Sequence, residues 1–269
     1  MLISPFTPLC FSTHRTDGIP SEYMQVFAPT DHILIEVFVE KDTDMEWVLY
    51  SEPGHIEKYT IAPQRWNINE ATDLLFFSLS PEVGIYSLEI GGMRSNIFRV
   101  TDNERILSGT TLIQYSNRNN RQRCDVVFYI ERMQYFFDFR VPGGFRDCDW
   151  VFTVDSEQFV TPTSDINQLY NRETLQKRFT LGTSAGVPVW FGDMLNRLLT
   201  CSHVYFDGVK YSRVEANVPE MNVQLEGVNS FVFTQLLQQS VNLDPDTEAY
   251  NMTIIRRVED ELYRNERII

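Results

Sequence analysis

A serine flanked by glycines is the arrangement in this chain with the clearest capacity for chemistry. Gly182-Thr-Ser-Ala-Gly186 has the Gly-x-Ser-x-Gly spacing of a nucleophile elbow, in which a sharp turn between a strand and a helix exposes the serine hydroxyl. A strand over 178–181 and a helix over 189–200 partly meet that requirement. The helix begins too late to place its N-terminus behind Ser184, and the chain lacks the alternating strands and helices of a parallel hydrolase sheet. We therefore predict that the protein is not an enzyme.

The acidic and histidine side chains give no stronger catalytic candidate. The densest carboxylate cluster consists of Asp147, Asp149, Asp155 and Glu157. It lacks the order of acids and glycine found in calcium-binding loops, which favours solvated turn residues over a divalent-ion site. The histidines have no second His or Cys at ligand spacing: His14, His32, His55 and His203. We predict no catalytic, cofactor-binding or metal-binding residues.

The basic cluster of the chain consists of three arginines: Arg118, Arg121 and Arg123. They alternate with asparagines and follow Tyr115, which indicates a polar loop between two strands. A solvated loop is the first interpretation, and contact with an acidic neighbour is the second. The three arginines are our candidate subunit contacts, whereas sequence-specific reading of nucleic acid is disfavoured.

The chain is acidic, with 37 Asp and Glu residues against 23 Lys and Arg residues and a formal net charge of −14. Such a charge repels phosphate backbones and argues against general nucleic-acid binding, which depends on basic side chains. Excess carboxylates commonly serve solubility, but they also suit a passage through which DNA must slide without adhering. The composition, 43% hydrophobic and 22% charged, is typical of a globular protein, and no apolar run is long enough to predict a membrane-spanning helix.

The cysteines lie far apart without a Cys-x-x-Cys pair: Cys10, Cys124, Cys148 and Cys201. Neither a zinc site nor a disulfide framework is indicated, and a reducing compartment is expected. The first residues lack the basic start of a secretory signal peptide, and prolines interrupt them.

Length and strand spacing predict a mainly β protein with two β-sandwich-like domains and one or two short helices. The 269 residues exceed a typical core of about 100 to 150 residues. Prolines predict an extended arm over 1–20, outside the core, and six β-rich runs predict an immunoglobulin-like sandwich over 21–102. Its strand over 33–39 has one aliphatic face and one mixed face. A second β-rich domain is expected over 103–243, and a charged tail over 244–269 is either helix or strand.

Local patterns in the second domain predict individual elements. We expect a strand over 125–129 and a turn at Pro142-Gly143-Gly144. Apolar residues at helical spacing predict the amphipathic helix over 189–200, which follows Pro188 at a position where a missing N–H is tolerated. Asp207-Gly208 between two β-rich runs predicts a tight hairpin, because both residue types tolerate positive φ.

The segment 179–214, which contains this helix and hairpin, resembles virion structural proteins of tailed phages that infect gut Bacteroidales. It reads Phe-Thr-Leu-Gly-Thr-Ser-Ala-Gly-Val-Pro-Val-Trp-Phe-Gly-Asp-Met-Leu-Asn-Arg-Leu-Leu-Thr-Cys-Ser-His-Val-Tyr-Phe-Asp-Gly-Val-Lys-Tyr-Ser-Arg-Val. The runs Tyr115-Ser-Asn-Arg-Asn and Val141-Pro-Gly-Gly-Phe145 are similar to the same group. The resemblance spans residues 110–240 and rests on packing and turn motifs, with no active-site residue to carry over.

The resemblance implies a ring subunit of the phage tail or neck, similar either to a distal tail protein or to the collar rings of crAss-like phages. It implies a homo-oligomeric ring, other tail or neck proteins as partners and DNA as non-specific passing cargo, with no membrane partner. The expected location is the virion, assembled in the cytoplasm of the host bacterium. The order of domains departs from the usual distal tail protein, in which the ring-forming domain comes first and an accessory sandwich follows.

A carbohydrate-binding or adhesin-like module without catalysis is the alternative function. Exposed tryptophans stack on sugar rings, and the candidates are Trp47, Trp66 and Trp150. Burial of these side chains in a core is the competing interpretation of each.

Overall fold

The structure is a computed structural model that describes residues 1–11, 23–52, 58–164, 166–182, 186–214, 220–223 and 231–240. For 58, 146–151, 153–158, 166–173 and 220–223 it describes the course of the backbone alone. The described chain is mainly β, as the sequence predicts. Neither helix in these ranges has the length and apolarity needed to cross a membrane.

The first domain packs two sheets face to face. Its strands are β1 Leu2–Ile3, β2 Gln25–Phe27, β3 Ile33–Glu40, β4 Trp47–Glu52, β5 Lys58–Ile61, β6 Gln64–Asn67, β7 Thr72–Leu79, β8 Gly84–Ile90, β9 Met93–Arg94 and β10 Phe98–Val100. One sheet has the order β1-β3-β7-β6, and the other has the order β2-β10-β8-β4-β5 with β9 added beside β8. The core between them is aliphatic and aromatic, with Trp47, Leu88 and Phe98 fully buried.

Strand β3 separates two hydrophobic cores. Its aliphatic face, which includes Ile35 and Val37, belongs to the core of the first domain. Its mixed face, which carries Leu34, Glu36 and Phe38, turns toward the second domain, where Leu34 is buried and Phe38 packs at the edge of a second core. Both faces of this strand are therefore covered, which explains why the mixed face is largely apolar although it lies outside the first core.

The second domain is a small barrel flanked by a helix. Its elements are α1 Glu104–Leu107, β11 Thr110–Ser116, β12 Tyr129–Ile130, β13 Met133–Gln134, β14 Phe137–Val160, β15 Ile166–Leu181, α2 Val189–Leu198, β16 His203–Phe206, β17 Val209–Arg213, β18 Glu220–Val223 and β19 Phe231–Gln239. The strand order is β15-β14-β11-β16-β17-β19-β18, and β19 also pairs with β15. That last pairing closes six strands on themselves, so these strands protect one another's edges.

Two local predictions for this domain are wrong. Residues 125–128 form no strand, and only Tyr129–Ile130 pairs, with Met133–Gln134. Their apolar residues are buried nonetheless: Val126, Val127 and Phe128. Pro142-Gly143-Gly144 is not a turn, because β14 continues through it and Gly143 pairs with Leu181. Gly143 adopts φ +116°, so the glycine bends a strand instead of ending it.

The helix and the tight hairpin form as predicted. Helix α2 spans Val189–Leu198 and buries Phe191, Met194 and Leu195 against the barrel. Strands β16 and β17 pair directly across Asp207-Gly208, whose φ values of 46° and 81° are those of a type I′ turn. The Asp207 carboxylate also accepts a hydrogen bond from the Leu112 N–H at 2.9 Å, which ties the turn to β11.

The first eleven residues do not lie outside the core, contrary to the predicted arm. Phe6 is fully buried in the core of the second domain, and Leu9 is buried in that of the first. The Arg197 guanidinium of α2 donates to the Pro5 carbonyl at 2.6 Å, and the Tyr115 hydroxyl donates to the Phe6 carbonyl. Residues 12–20 of the predicted arm lie outside the described residues, as does the tail over 244–269. The domain boundaries stay a prediction.

Candidate functional site

The loop that carries the candidate arginines is held in place by asparagine and serine side chains. The Arg118 N–H donates to the Ser202 hydroxyl at 2.8 Å, and the Ser202 N–H donates to the Asn117 amide oxygen at 2.8 Å. The Asn120 amide oxygen accepts from the N–H groups of Phe128 and Tyr129. These bonds fix the loop against the end of β16, so its exposed side chains project from an ordered backbone.

The three arginines do not share one environment. Arg123 bonds both carboxylate oxygens of Asp125, at 2.7 and 2.8 Å, and its guanidinium lies 4.6 Å from the centre of the Phe6 ring. The ion pair holds the pKa of Asp125 below its ordinary value. Arg123 is thus engaged within its own chain, whereas Arg118 and Arg121 are exposed. Subunit contact by these residues stays a prediction, and the geometry favours Arg118 and Arg121 for it.

The residues considered for catalysis or metal binding are spread over several elements. Ser184, His14 and His55 lie outside the described residues. The acidic cluster falls within β14 and not in a turn, with Asp155 paired to Arg172 and its side chains beyond the described part. Within the described ranges, no three His, Cys, Asp or Glu side chains lie close enough together to hold a metal ion. His32 is buried and its backbone N–H donates to Asp138 at 3.0 Å.

Two of the tryptophans considered for sugar stacking face the interior. Trp47 is fully buried in the core of the first domain, so the interpretation of core burial is confirmed for this residue. Trp66 is half-buried and packs against the core that the two domains share. The side chain of Trp150 lies outside the description. Burial excludes sugar stacking for Trp47, and the packing of Trp66 against the core leaves only part of that side chain exposed.

A polar joint, formed by Asp31, Glu36, Asp138 and Arg140, lies where the two domains meet. Asp31 and Arg140 form a two-pronged ion pair with distances of 2.6 and 2.8 Å, and Asp31 also accepts from the Ala28 N–H. Asp138 accepts from the His32 N–H and from the Gln114 amide, each at 3.0 Å. Each hydrogen bond between Asp31 and Arg140 or between His32 and Asp138 crosses from one domain to the other, so the joint fixes their relative position.

Burial gives two acids of the joint unusual proton affinities. Desolvation raises the pKa of Glu36 to about 8, although the Val127 N–H donates to its carboxyl group at 3.0 Å. Desolvation, together with repulsion from Asp31, raises the pKa of Asp138 to about 7. Both side chains are buried where the two domains meet. Their proton affinity therefore bears on the stability of the joint.

The largest feature missed by the sequence analysis is a two-stranded ribbon, which we define as residues 152–160 of β14 and 166–175 of β15. Within the described pairings, β14 contacts β11 only over 137–142, and β15 contacts β19 only over 176–181. The ribbon strands pair with each other from Phe152↔Leu175 to Val160↔Ile166. The ribbon therefore extends past the barrel, and no other described strand pairs with either of its edges.

The ribbon carries exposed apolar side chains. Phe152 is 76% exposed, Phe159 53% and Val160 59%. The strands continue to a turn at Thr161-Pro162-Thr163-Ser164, where Ser164 has φ 67°. This Pro-containing polar run between β-rich stretches is a hairpin signal in the sequence. The glycines at 143 and 144 are typical of a turn, so the sequence does not indicate that β14 begins before them.

Comparison of the chain with protein-family models, curated proteins and solved structures gave no match.

Proposed function

We propose that this protein is a structural subunit of a tailed-phage virion that assembles with copies of itself into a ring of the tail or neck around a DNA passage. The resemblance of segment 179–214 to such proteins suggests the particle. The ribbon is the structural observation that supports assembly into an oligomer. A non-catalytic role is consistent with the dispersed positions of the described reactive side chains.

The ribbon is poorly stabilised by its own chain. A two-stranded hairpin alone in water is marginally stable at best, because it lacks a third strand or a covering layer. Nine residues of β14 at about 3.3 Å each give a projection of roughly 30 Å. Its outer backbone groups and exposed side chains at Phe152, Phe159 and Val160 would be covered by a neighbouring protein. Lateral docking on the next subunit satisfies both needs.

Such docking leads to a ring because the two surfaces involved differ. A ribbon on one subunit that contacts the barrel of the next is a head-to-tail interface, and repeated head-to-tail contacts either close into a ring or form a filament. The excess of acidic residues, which gives a net charge of −14, would keep phosphates from adhering to the inner wall. Charge and ribbon thus support the same architecture.

Removal of the ribbon tests this proposal directly. Val151 and Gln176 are directly paired, so replacing residues 152–175 by Asn-Gly leaves a two-residue loop between them and preserves every described pairing of the barrel. We expect the full-length protein to form a discrete oligomer and the shortened protein to remain a monomer with the same thermal stability. Native mass spectrometry over a concentration series measures the first, and calorimetry the second.

Point substitutions provide a matched control. Phe152→Ser with Phe159→Ser removes apolar surface from the ribbon, whereas Val83→Ser with Ile97→Ser removes similarly exposed apolar surface from the first domain. We expect the ribbon pair to shift assembly to higher protein concentration by at least about tenfold and the control pair to leave it unchanged. Equal assembly in the wild type and in the ribbonless protein would show that the ribbon does not form the interface.

A further inference from the structure

Three basic side chains from two parts of the second domain form a cluster, which we define as Arg118, His203 and Lys210. His203 begins β16, Lys210 lies on the paired strand β17, and the Lys210 ammonium is 3.5 Å from Nδ1 of His203. The hydrogen bond from the Arg118 N–H to the hydroxyl of Ser202 holds the backbone of Arg118 beside the start of β16, and its charge acts on both His203 and Lys210. His203 and Lys210 are half-buried, and Arg118 is exposed.

The cluster carries positive charge that the described chain does not neutralise. Carboxylates pair with five other arginines in the described ranges: Arg65, Arg94, Arg123, Arg140 and Arg197. No described ion pair involves Arg118 or Lys210. In a chain of net charge −14, an arginine and a lysine that converge on a histidine without a carboxylate partner form a local exception to the overall charge.

Burial and repulsion between the positive charges of the cluster lower the pKa values of His203 and Lys210. Burial and the charges of Lys210 and Arg118 lower the pKa of His203 to about 4. Burial and the charge of Arg118 also lower the pKa of Lys210. Among the described residues, Lys210 and Arg118 are the charged groups that act on the imidazole. An anion placed among the three side chains would relieve the repulsion and favour protonation of His203.

We infer that Arg118, His203 and Lys210 form a binding site for an oxyanion, either a carboxylate or a tetrahedral anion such as sulfate. Arginine offers a planar fork of donors, lysine a point charge, and protonated histidine a further N–H. A free inorganic anion and a carboxylate on a second copy of this acidic chain are the two sources of that chemistry. The site does not depend on the proposed ring, since a free anion can occupy it in a monomer.

Sulfate is the suitable probe because its charge is constant between about pH 5.5 and about pH 7.5. We expect sulfate, compared with chloride at equal ionic strength, to raise the pKa of His203 in NMR titrations of its ring. If the anion raises that pKa to roughly 6, sulfate will bind about fourfold more tightly at about pH 5.5 than at about pH 7.5. An unchanged pKa of His203 in sulfate overturns the inference.

Variants separate this site from general charge effects. Arg118→Gln with Lys210→Gln should abolish the effect of sulfate, whereas Arg105→Gln removes an exposed arginine of α1 and should leave it intact. A sulfate effect that persists in the double variant also overturns the site. The wild-type titration is informative even if that variant folds poorly.

Sedimentation velocity distinguishes the two sources. If a second copy supplies the anion, sulfate and the double variant will both weaken self-association. If the ligand is a free anion, self-association will be unaffected while the shift of the His203 pKa remains. Either result supports the site, and neither depends on the outcome of the ribbon deletion.

Discussion

Three carboxyl groups at the joint between domains are stabilised in different ways, although all are buried. Asp31 has a full ion pair with Arg140, whereas Asp138 accepts hydrogen bonds from neutral N–H groups. Glu36 accepts from the Val127 N–H alone among its described hydrogen bonds. A buried carboxylate without a counter-charge is costly, so Glu36 retains its proton at neutral pH.

Glu36 makes the stability of the protein depend on pH in a defined direction. Its folded-state pKa of about 8 exceeds the ordinary value of 4.5, so the stabilisation from its proton is complete below pH 4.5 and is lost as the pH rises through about 8. We expect this group to lower the free energy of unfolding by about 2 kcal/mol between about pH 6.5 and about pH 9. Urea unfolding at the two pH values of wild type and Glu36→Gln measures the difference, which the glutamine variant should lack.

The exposed residue Glu40 on the same strand provides the control. Glu40→Gln removes a carboxylate from β3 without touching the joint, so it should keep the wild-type pH dependence. Glutamine at position 36 retains an oxygen that can accept from the Val127 N–H. A Glu36→Gln protein with the full wild-type pH dependence would mean that another group causes it.

The sequence indicates the unusual strand face at the joint but not the side-chain partners that meet there. The mixed composition of Leu34, Glu36 and Phe38 indicates that the second face of their strand differs from its aliphatic face. Nothing local identifies the Val127 N–H as the partner of Glu36 or Arg140 as that of Asp31, because these partners are separated by 91 and 109 residues. Side-chain pairs of this kind depend on how the domains meet, which the periodicity of one strand does not encode.

At the scale of elements, glycine decides whether β14 ends or continues. The sequence Pro142-Gly143-Gly144 is typical of a turn, but the backbone passes through it and pairs with β15 on the far side. A Cβ atom at Gly143 would overlap the carbonyl oxygen of Thr180, and φ +116° is unfavourable for any other residue. The glycine therefore permits two strands to approach closely where the barrel strand becomes the ribbon strand.

Substitution of this glycine should be severe. We expect Gly143→Ala to lower the free energy of unfolding by at least about 3 kcal/mol, because it combines backbone strain with overlap against Thr180. Gly109→Ala is the matched control, since its Cβ would meet only the Ile106 carbonyl at an ordinary 3.6 Å. Chemical denaturation of the two variants measures both changes. Equal stability of the two would argue against a tight approach at Gly143.

Elements with local signals were predictable, and those stabilised at long range were not. Helix α2 has apolar residues at helical spacing, and Asp207-Gly208 specifies its own turn, so both follow from a few adjacent residues. Val126-Val127-Phe128 has the composition of a strand but is buried as an irregular segment under Phe6 and the barrel. Its apolar residues are explained by burial, and none of the described strands pairs with it.

At the scale of the whole molecule, the first eleven residues connect the two domains. β1 pairs with β3, Phe6 lies in the core of the second domain, and Leu9 lies in that of the first. The Ser4 hydroxyl donates to the Asp125 carbonyl at 2.8 Å, which adds a polar link. Together with the polar joint, this segment makes the two domains one mechanical unit.

Loss of the Phe6 ring should weaken the whole molecule and not one domain alone. We expect Phe6→Ala to lower the free energy of unfolding by about 3 to 5 kcal/mol, because it leaves a cavity between Tyr115 and Phe128. Leu2→Ala, at a residue that is 51% exposed, should change it by less than about 0.5 kcal/mol. Differential scanning calorimetry should show one transition in wild type. A wild-type protein with two separate transitions would contradict the coupling.

The position of Phe6 and Pro5 also sets an order of events during synthesis. Pro5 leaves the ribosome long before Arg197, which lies 192 residues later in the chain and donates to the Pro5 carbonyl. Domains generally fold as they emerge, from the N-terminus onward. Here the segment around Phe6 must wait for its partners Tyr115 and Phe128, and Pro5 must wait until α2 has been translated. Binding of chaperones to the nascent chain should therefore be strongest before that helix appears and should end soon after it.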